Sequence, residues 1–298
     1  FSIMPDESKL ILANASGSAP DVALGVSTTR VYDMAVRGTL MDLRQFADFP
    51  EVGRRFPTGL LMPAVCDNGV YALPETFNFY VLFYRTDILE SIGVEPPDSY
   101  EEVLQILPVL HRYGLNYNNF IANTIGYKGF AMTTPFIYQS GGVLYREGDL
   151  HVQLDDEATI RGLKLLTDSF TIYDMDFEIN SFYQSFRDGT LPIGTANYGM
   201  YNLLMNAAPE LADKWAIAPY PGVTDENGVV QRWTSGAEQS CFMFASTEMP
   251  DEAWQFLSWW MSEETQTEFA FTLQSTLGNE YLWNSANTEA FLNSPWPT

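Results

Sequence analysis

Leu73-Pro74-Glu75-Thr76-Phe77-Asn78-Phe79-Tyr80-Val81-Leu82-Phe83-Tyr84-Arg85 is the stretch that decides the fold. A polar knot at its front gives way to a run of aromatic and aliphatic residues, which reads as a buried strand. Its length and continuity suit a strand covered on both faces, as in an α/β sheet. Pro74 and the polar Arg85-Thr86-Asp87 bound the run, and a helical segment from Asp87 to Ile92, stopped at Gly93, follows it.

Outward from that strand, strand and helix signals alternate, the mark of α/β architecture. After a short apolar run from Phe1 to Met4, Asp6 to Ser16 reads as a helix with Gly17 as its stop. Asp21 to Val26 reads as a buried strand behind Pro20, and Ser27-Thr28-Thr29 supplies the cap of a helix from Arg30 to Arg37, closed by Gly38. Val70 to Leu73 is a further short strand. Asp98 or Ser99 caps a strong helix, Glu101 or Glu102 completes a capping box, and Val103, Ile106, Leu107 and Leu110 form its apolar stripe, interrupted by Pro108. Asp155 to Tyr173 is a helix with Ile160, Leu163, Leu166 and Phe170 on one side. Phe182 to Arg187 is a short helix, Leu191 to Thr195 a strand, Tyr198 to Leu204 a helix, Trp215 to Pro219 a strand and Pro221 to Gly228 a loop. Gln239 to Phe244 is a strand. Pro250 opens an amphipathic helix carrying Trp254, Leu257 and Met261, and a last helix runs from Glu263 to Leu277, closed by Gly278.

The 298 residues, 46% of them hydrophobic, suffice for one large core or two lobes of ~150 residues. Aromatic residues make up 14% of the chain, a density that leaves rings for a ligand-facing surface as well as for packing. Fifteen basic against 38 acidic residues give a formal charge of −23. That charge disfavours nucleic acid, polyanionic substrates and anionic lipid, and otherwise serves solubility. Two Cys (Cys66 and Cys241) and two His (His111 and His151) cannot assemble a zinc site at any usual spacing. The two Cys are either a disulfide formed in an oxidising compartment or a pair of buried thiols. No window approaches the ~20 apolar residues of a membrane helix. The chain opens at Phe1 without Met or a signal peptide, so a cut or processed product is expected.

Four blocks, in order along the chain, resemble the family-1 extracellular solute-binding proteins, the sugar-binding receptors of ABC transporters that include the maltodextrin receptor. The first is Ala13-Asn14-Ala15-Ser16-Gly17-Ser18-Ala19-Pro20-Asp21-Val22 with its continuation Ala35-Val36-Arg37-Gly38-Thr39-Leu40-Met41-Asp42-Leu43. The second is the strand from Leu73, similar to that family's hinge-crossing strand. Third comes Tyr138-Gln139-Ser140-Gly141-Gly142 with Val143-Leu144-Tyr145, and fourth Ala253-Trp254-Gln255-Phe256-Leu257-Ser258-Trp259-Trp260. The resemblance implies an α/β fold of the periplasmic-binding-protein type II kind, two lobes joined by hinge strands. It divides the chain into lobe I (1–82), lobe II (83–233), a return to lobe I (234–278) and a hinge with the start of a lobe II return (279–298). Relative to the family, a first strand and the usual C-terminal helices are missing, so truncation at both ends is expected. At Gly25, where the maltodextrin receptor presents a ring, this chain has no side chain, so its ligand need not be maltodextrin.

A sugar site needs flat apolar faces for stacking and amide, hydroxyl and carboxylate groups for the ring hydroxyls, supplied by loops at strand ends. On that basis Ser27, Thr28 and Thr29, Glu75 and Asn78, Tyr138 and Gln139, Tyr198 and Tyr201, and Trp233 with Ser235 are the candidate ligand contacts. Each has a plainer alternative: helix caps, hinge hydrogen bonds or packing. Trp233 stands out because Arg232-Trp233-Thr234-Ser235-Gly236 is too polar for a core strand, and a Trp there resembles the family's stacking ring. Trp254, Trp259 and Trp260 fit core or surface positions of an amphipathic helix.

Catalytic signals are thin. Asp155-Asp156, Glu101-Glu102 and Glu263-Glu264 each fit the acidic start of a helix. No G-x-S-x-G, Walker loop or G-x-G-x-x-G is present. The expectation is therefore a monomeric, non-enzymatic carbohydrate receptor outside the cytoplasm, anchored as a lipoprotein in its full-length form. It would need no cofactor and would close on its ligand and dock ABC transporter membrane subunits. The alternatives are a glycan hydrolase using cleft carboxylates, which would need two of them ~5–9 Å apart, and a ligand-sensing module of a larger surface protein.

Overall fold

The computed structural model describes residues 8–119, 127–145, 151–177, 179 and 181–296, so the run Phe1–Met4 lies outside the described residues. In chain order the strands among these are β1 (Val22–Ser27), β2 (Val65–Cys66), β3 (Gly69–Val70), β4 (Leu73–Arg85), β5 (Tyr117–Asn118), β6 (Ile193–Asn197), β7 (Trp215–Ala218), β8 (Val223–Thr224), β9 (Val230–Gln231) and β10 (Gly236–Met243). The chain divides into two compact units. Unit 1 comprises Phe1–Asn78 and Ala237–Thr298, and unit 2 comprises Phe79–Gly236. The chain passes from one to the other in β4 and returns at the start of β10.

Unit 1 is built on β1, β10 and the first half of β4, with β10 in the middle. Cys241, Phe242, Met243 and Phe244 are all fully buried, and successive side chains of a strand point to opposite faces. Accordingly Phe242 and Phe244 join Leu10, Val26, Val31 and Met34 in one core. Cys241 and Met243 join Leu43, Leu73, Trp254 and Leu257 in another. Each fully buried Leu or Phe here contributes about 1.5–3 kcal/mol. Both Cys are buried free thiols. β1 pairs antiparallel with β10, and the register slips between Ala23 and Val26, a bulge that contains Gly25 at φ +67°.

Residues 279–296 group with unit 1. Phe77 N donates to Asn284 O at 3.1 Å and Ala286 N to Glu75 O at 3.0 Å. Trp283 and Ser285 both donate to Gln266 Oε1, at 2.6 and 2.8 Å.

Unit 2 is organised by the second half of β4, which pairs antiparallel with β6 and with β7, while β5 adds parallel to β6. Leu82 faces a core with Leu107, Leu110, Tyr117 and Phe136. Its neighbour Phe83 faces the other side, with Phe186, Met200 and Leu204. The both-faces burial expected of β4 thus holds at its ends, whereas Thr76 to Val81 in the middle are half-buried. Of the two possible caps, Ser99 is the one used: its Oγ accepts from Glu102 N, and the Glu102 carboxylate accepts from Ser99 N in return.

Three readings of secondary structure need correction, the first two of them in unit 2. The helix Glu157–Thr171 buries Thr159, Gly162, Leu166 and Ser169, and Ile160 points out, 52% exposed. The face is turned because the helix Tyr127–Gln139 packs directly against it. A Cβ on Gly162 would lie 2.2 Å from Phe136 O, so only glycine allows the approach. The loop read at Pro221 to Gly228 holds one strand of a hairpin, β8 with β9. Val70 to Leu73 is likewise not one strand but the end of β3 and the start of β4.

Candidate functional site

The candidate contacts in unit 1 gather near the ends of β1 and β4. Ser27 occupies the N-cap position of the helix Thr28–Val36, but its side chain does not cap it; the Ser27 and Thr29 hydroxyls lie 2.9 Å apart instead. Thr28 is buried, its hydroxyl 2.7 Å from that of Ser240. Glu75 is 2% exposed and fully engaged: Gly25 N donates to Oε2, and Trp260 Nε1 donates to Oε1 at 2.8 Å. Burial pushes its carboxyl above the usual range, and those two donors draw it back. Asn78 keeps a buried Oδ1 with no hydrogen-bond partner.

Two residues beside these were missed from sequence, Glu238 and Ser240 on β10. Burial pushes the Glu238 carboxyl up to about 7, against a hydrogen bond from Thr28, and its Oε2 is buried without a partner. A lone carboxylate three residues before the apolar Cys241-Phe242-Met243 was the available signal. Trp260, read as core or surface, proves to be a partner of Glu75.

In unit 2 the candidates fall into two places. Tyr198 stacks between Phe79 and Tyr201, with ring centroids 5.0 and 5.4 Å away. Burial, with Tyr201 beside it, pushes the Tyr198 phenol up to about 12. Next along the chain from this column lies a pocket of about 280 Å³ lined by Tyr80, Asn118, Tyr183, Thr195, Asn197 and Met200 among others. Asn118 is 1% exposed; its Nδ2 donates to Thr195 O at 2.8 Å, which fixes the amide and leaves Oδ1 without a partner. A Cβ on Gly194 would lie 2.5 Å from Asn118 O, so that glycine sets the approach of β5 to β6. Asn118 also escaped sequence reading, for a polar residue in a two-residue strand gives no periodic signal.

Tyr138, Gln139 and Trp233 come together elsewhere in unit 2, around a groove of about 830 Å³ that shares no lining residue with the first pocket. Gln139 ends the helix Tyr127–Gln139 and is 2% exposed, while Trp233 is 59% exposed. The Tyr138 and Trp233 rings lie 6.4 Å apart, tilted by 49°. Ser235 lies just before β10 and lines neither space.

The sequence profile described as "Bacterial extracellular solute-binding protein" matches residues 5–278. A binding protein from Brucella abortus strain 2308 is 24% identical to this chain, over 98% of the chain and 72% of the relative. Among solved structures, the sugar-binding protein MalE from the phytopathogen Xanthomonas citri superposes with a TM-score of 0.73 at 17% identity, covering 97% of this chain and 75% of that one. The cyclic α-maltosyl-1,6-maltose binding protein from Arthrobacter globiformis gives 0.72 at 16% identity, covering 97% and 77%. At such identities the structural likeness establishes the fold, the α/β fold of periplasmic solute-binding proteins.

Proposed function

This chain belongs to the bacterial extracellular solute-binding proteins, and from that premise we propose that it is the substrate-binding component of an ABC importer, taking up a neutral sugar or oligosaccharide. One observation carries the choice of ligand class: among the described residues, the lining of the pocket at Asn118 has no charged member. It offers amides, hydroxyls and rings, together with an amide oxygen that has no partner in the protein. Neutral hydrogen-bonding groups beside apolar faces match a polyhydroxylated ring, and they match an ion poorly. The relatives named for sugars agree with this reading.

In this proposal Asn118 and Asn197 bind ring hydroxyls and the rings of Tyr80 and Tyr183 line the pocket beside them. As in the family, ligand binding favours a closed state through contacts made only there. The closed form then engages the transporter's membrane subunits, with the full-length protein anchored as a lipoprotein. Hydrolysis is not favoured, because Glu75 is committed to Gly25 and Trp260.

The test is titration with a panel of neutral mono- and oligosaccharides, followed by intrinsic Trp fluorescence. A saturable response with a micromolar Kd, about −8 kcal/mol, is expected for at least one sugar. Silence across the sugars with a response to amino acids or peptides would replace the ligand class.

A further inference from the structure

The groove beneath Trp233 has a different hydrogen-bonding character from the pocket at Asn118. Several of its donors are turned inward. Gln139 Nε2 donates to Trp233 O at 2.6 Å and to Pro221 O at 3.4 Å. Gln231 Nε2 donates to the Asp225 carboxylate at 2.8 Å. The Arg161 guanidinium faces Ser140 O at 3.5 Å and the Glu157 carboxylate at 3.4 Å.

With its nitrogen held by two carbonyls, the Gln139 amide cannot be turned round, and its buried Oε1 has no partner. A buried acceptor left so costs free energy that a ligand's donor recovers. Among the described residues the Glu101 carboxylate accepts from Thr224 alone, at 3.3–3.4 Å. Asp225 and Glu226 add two further carboxylates, against the single guanidinium of Arg161. Above them stand the exposed Tyr138 and Trp233 rings, whose faces attract a cation.

We propose that this groove is a second ligand site, specific for a small organic ammonium compound that donates N–H to Gln139 Oε1 and to the Glu101 carboxylate while its cationic end lies against the two rings. The site is contained in unit 2 and does not depend on the carbohydrate reading. The net charge of −23 favours the encounter.

Calorimetric titration of the whole chain with 1,4-diaminobutane at low salt tests it, with tetramethylammonium as the cation that has no N–H. One saturable site per chain is expected for the diamine, weakened at least tenfold by Trp233→Ala and by Glu101→Gln. Tetramethylammonium should bind at least tenfold more weakly. Trp233→Ala should leave the affinity for a neutral sugar, where one has been identified, unchanged. Circular dichroism checks that both variants are folded. The proposal is overturned by the absence of saturable diamine binding, by equal affinity of the variants, by equal binding of tetramethylammonium, or by loss of sugar binding in Trp233→Ala.

Discussion

Unit 1 holds a well-satisfied buried polar network, whereas unit 2 sets two open amides at the walls of cavities. In unit 1 buried groups satisfy one another: Glu75 accepts from Gly25 and Trp260, and Gln266 accepts from Trp283 and Ser285 while donating to Trp260 O at 2.9 Å. In unit 2 two buried amides, Asn118 and Gln139, have their nitrogens held by backbone carbonyls and their oxygens left open, each at the wall of a cavity. A side chain whose hydrogen bonds are all made inside the protein holds the architecture. One with a fixed orientation and an open acceptor is ready for a ligand. Unit 1 has its own buried polar atoms without a partner among the described residues, at Asn78, Glu238, Thr267 and Asn284.

The largest effect that would sharpen this contrast is Glu75→Ala. It leaves Gly25 N and Trp260 Nε1 without their acceptor, at about 1–3 kcal/mol each, so denaturant unfolding should show a loss of about 2–5 kcal/mol. A loss below about 0.5 kcal/mol would place Glu75 among the ligand contacts instead. Next is Gly194→Ala, whose methyl would overlap Asn118 O; overpacking of this kind costs about 1–3 kcal/mol and should also weaken sugar binding by moving the open amide.

Smallest and most specific is Glu238→Gln. With its folded-state carboxyl raised from 4.5 to about 7, the native protein holds a proton that the unfolded chain has already released. The wild-type stability contributed by this group is therefore full below about pH 4.5 and falls as pH rises towards 7. Thermal melts at pH 5 and 8 should show a larger drop for wild type than for Glu238→Gln. Parallel pH profiles would remove Glu238 from the account.

What the sequence revealed was local. The capping box at Ser99 and Glu102, the glycine-stopped helix Thr86–Ile92 and the long strand β4 all signal within one segment, and the structure contains each. The helix Tyr127–Gln139 was not legible, since Gly129, Thr133, Thr134 and Pro135 are poor helix formers and its partner helix supports it only in the folded chain. The hairpin β8–β9 has strands of two residues, too short for periodicity, and is held by the Asp225 carboxylate accepting from Asn227 N and Val229 N at 2.9 Å.

Site residues follow the same division. Glu75 is conspicuous as a carboxylate at the head of an apolar strand, yet the partners that engage it lie 50 and 185 positions away. Asn118 looked ordinary because an open acceptor is a property of the assembled neighbours. The sequence places Tyr138, Gln139 and Trp233 far apart, and only the packing of unit 2 brings them around one groove.

The central claim is that the open amide oxygen of Asn118 marks the place where a neutral sugar binds. It is tested most directly by calorimetric titration of the best sugar from the panel against wild type, Asn118→Leu and the exposed-site variant Asn197→Ala. The account predicts micromolar binding to the wild type, with at least a tenfold loss (about 1.4 kcal/mol) in each variant while both remain folded. Undiminished sugar affinity in folded Asn118→Leu and Asn197→Ala would contradict it.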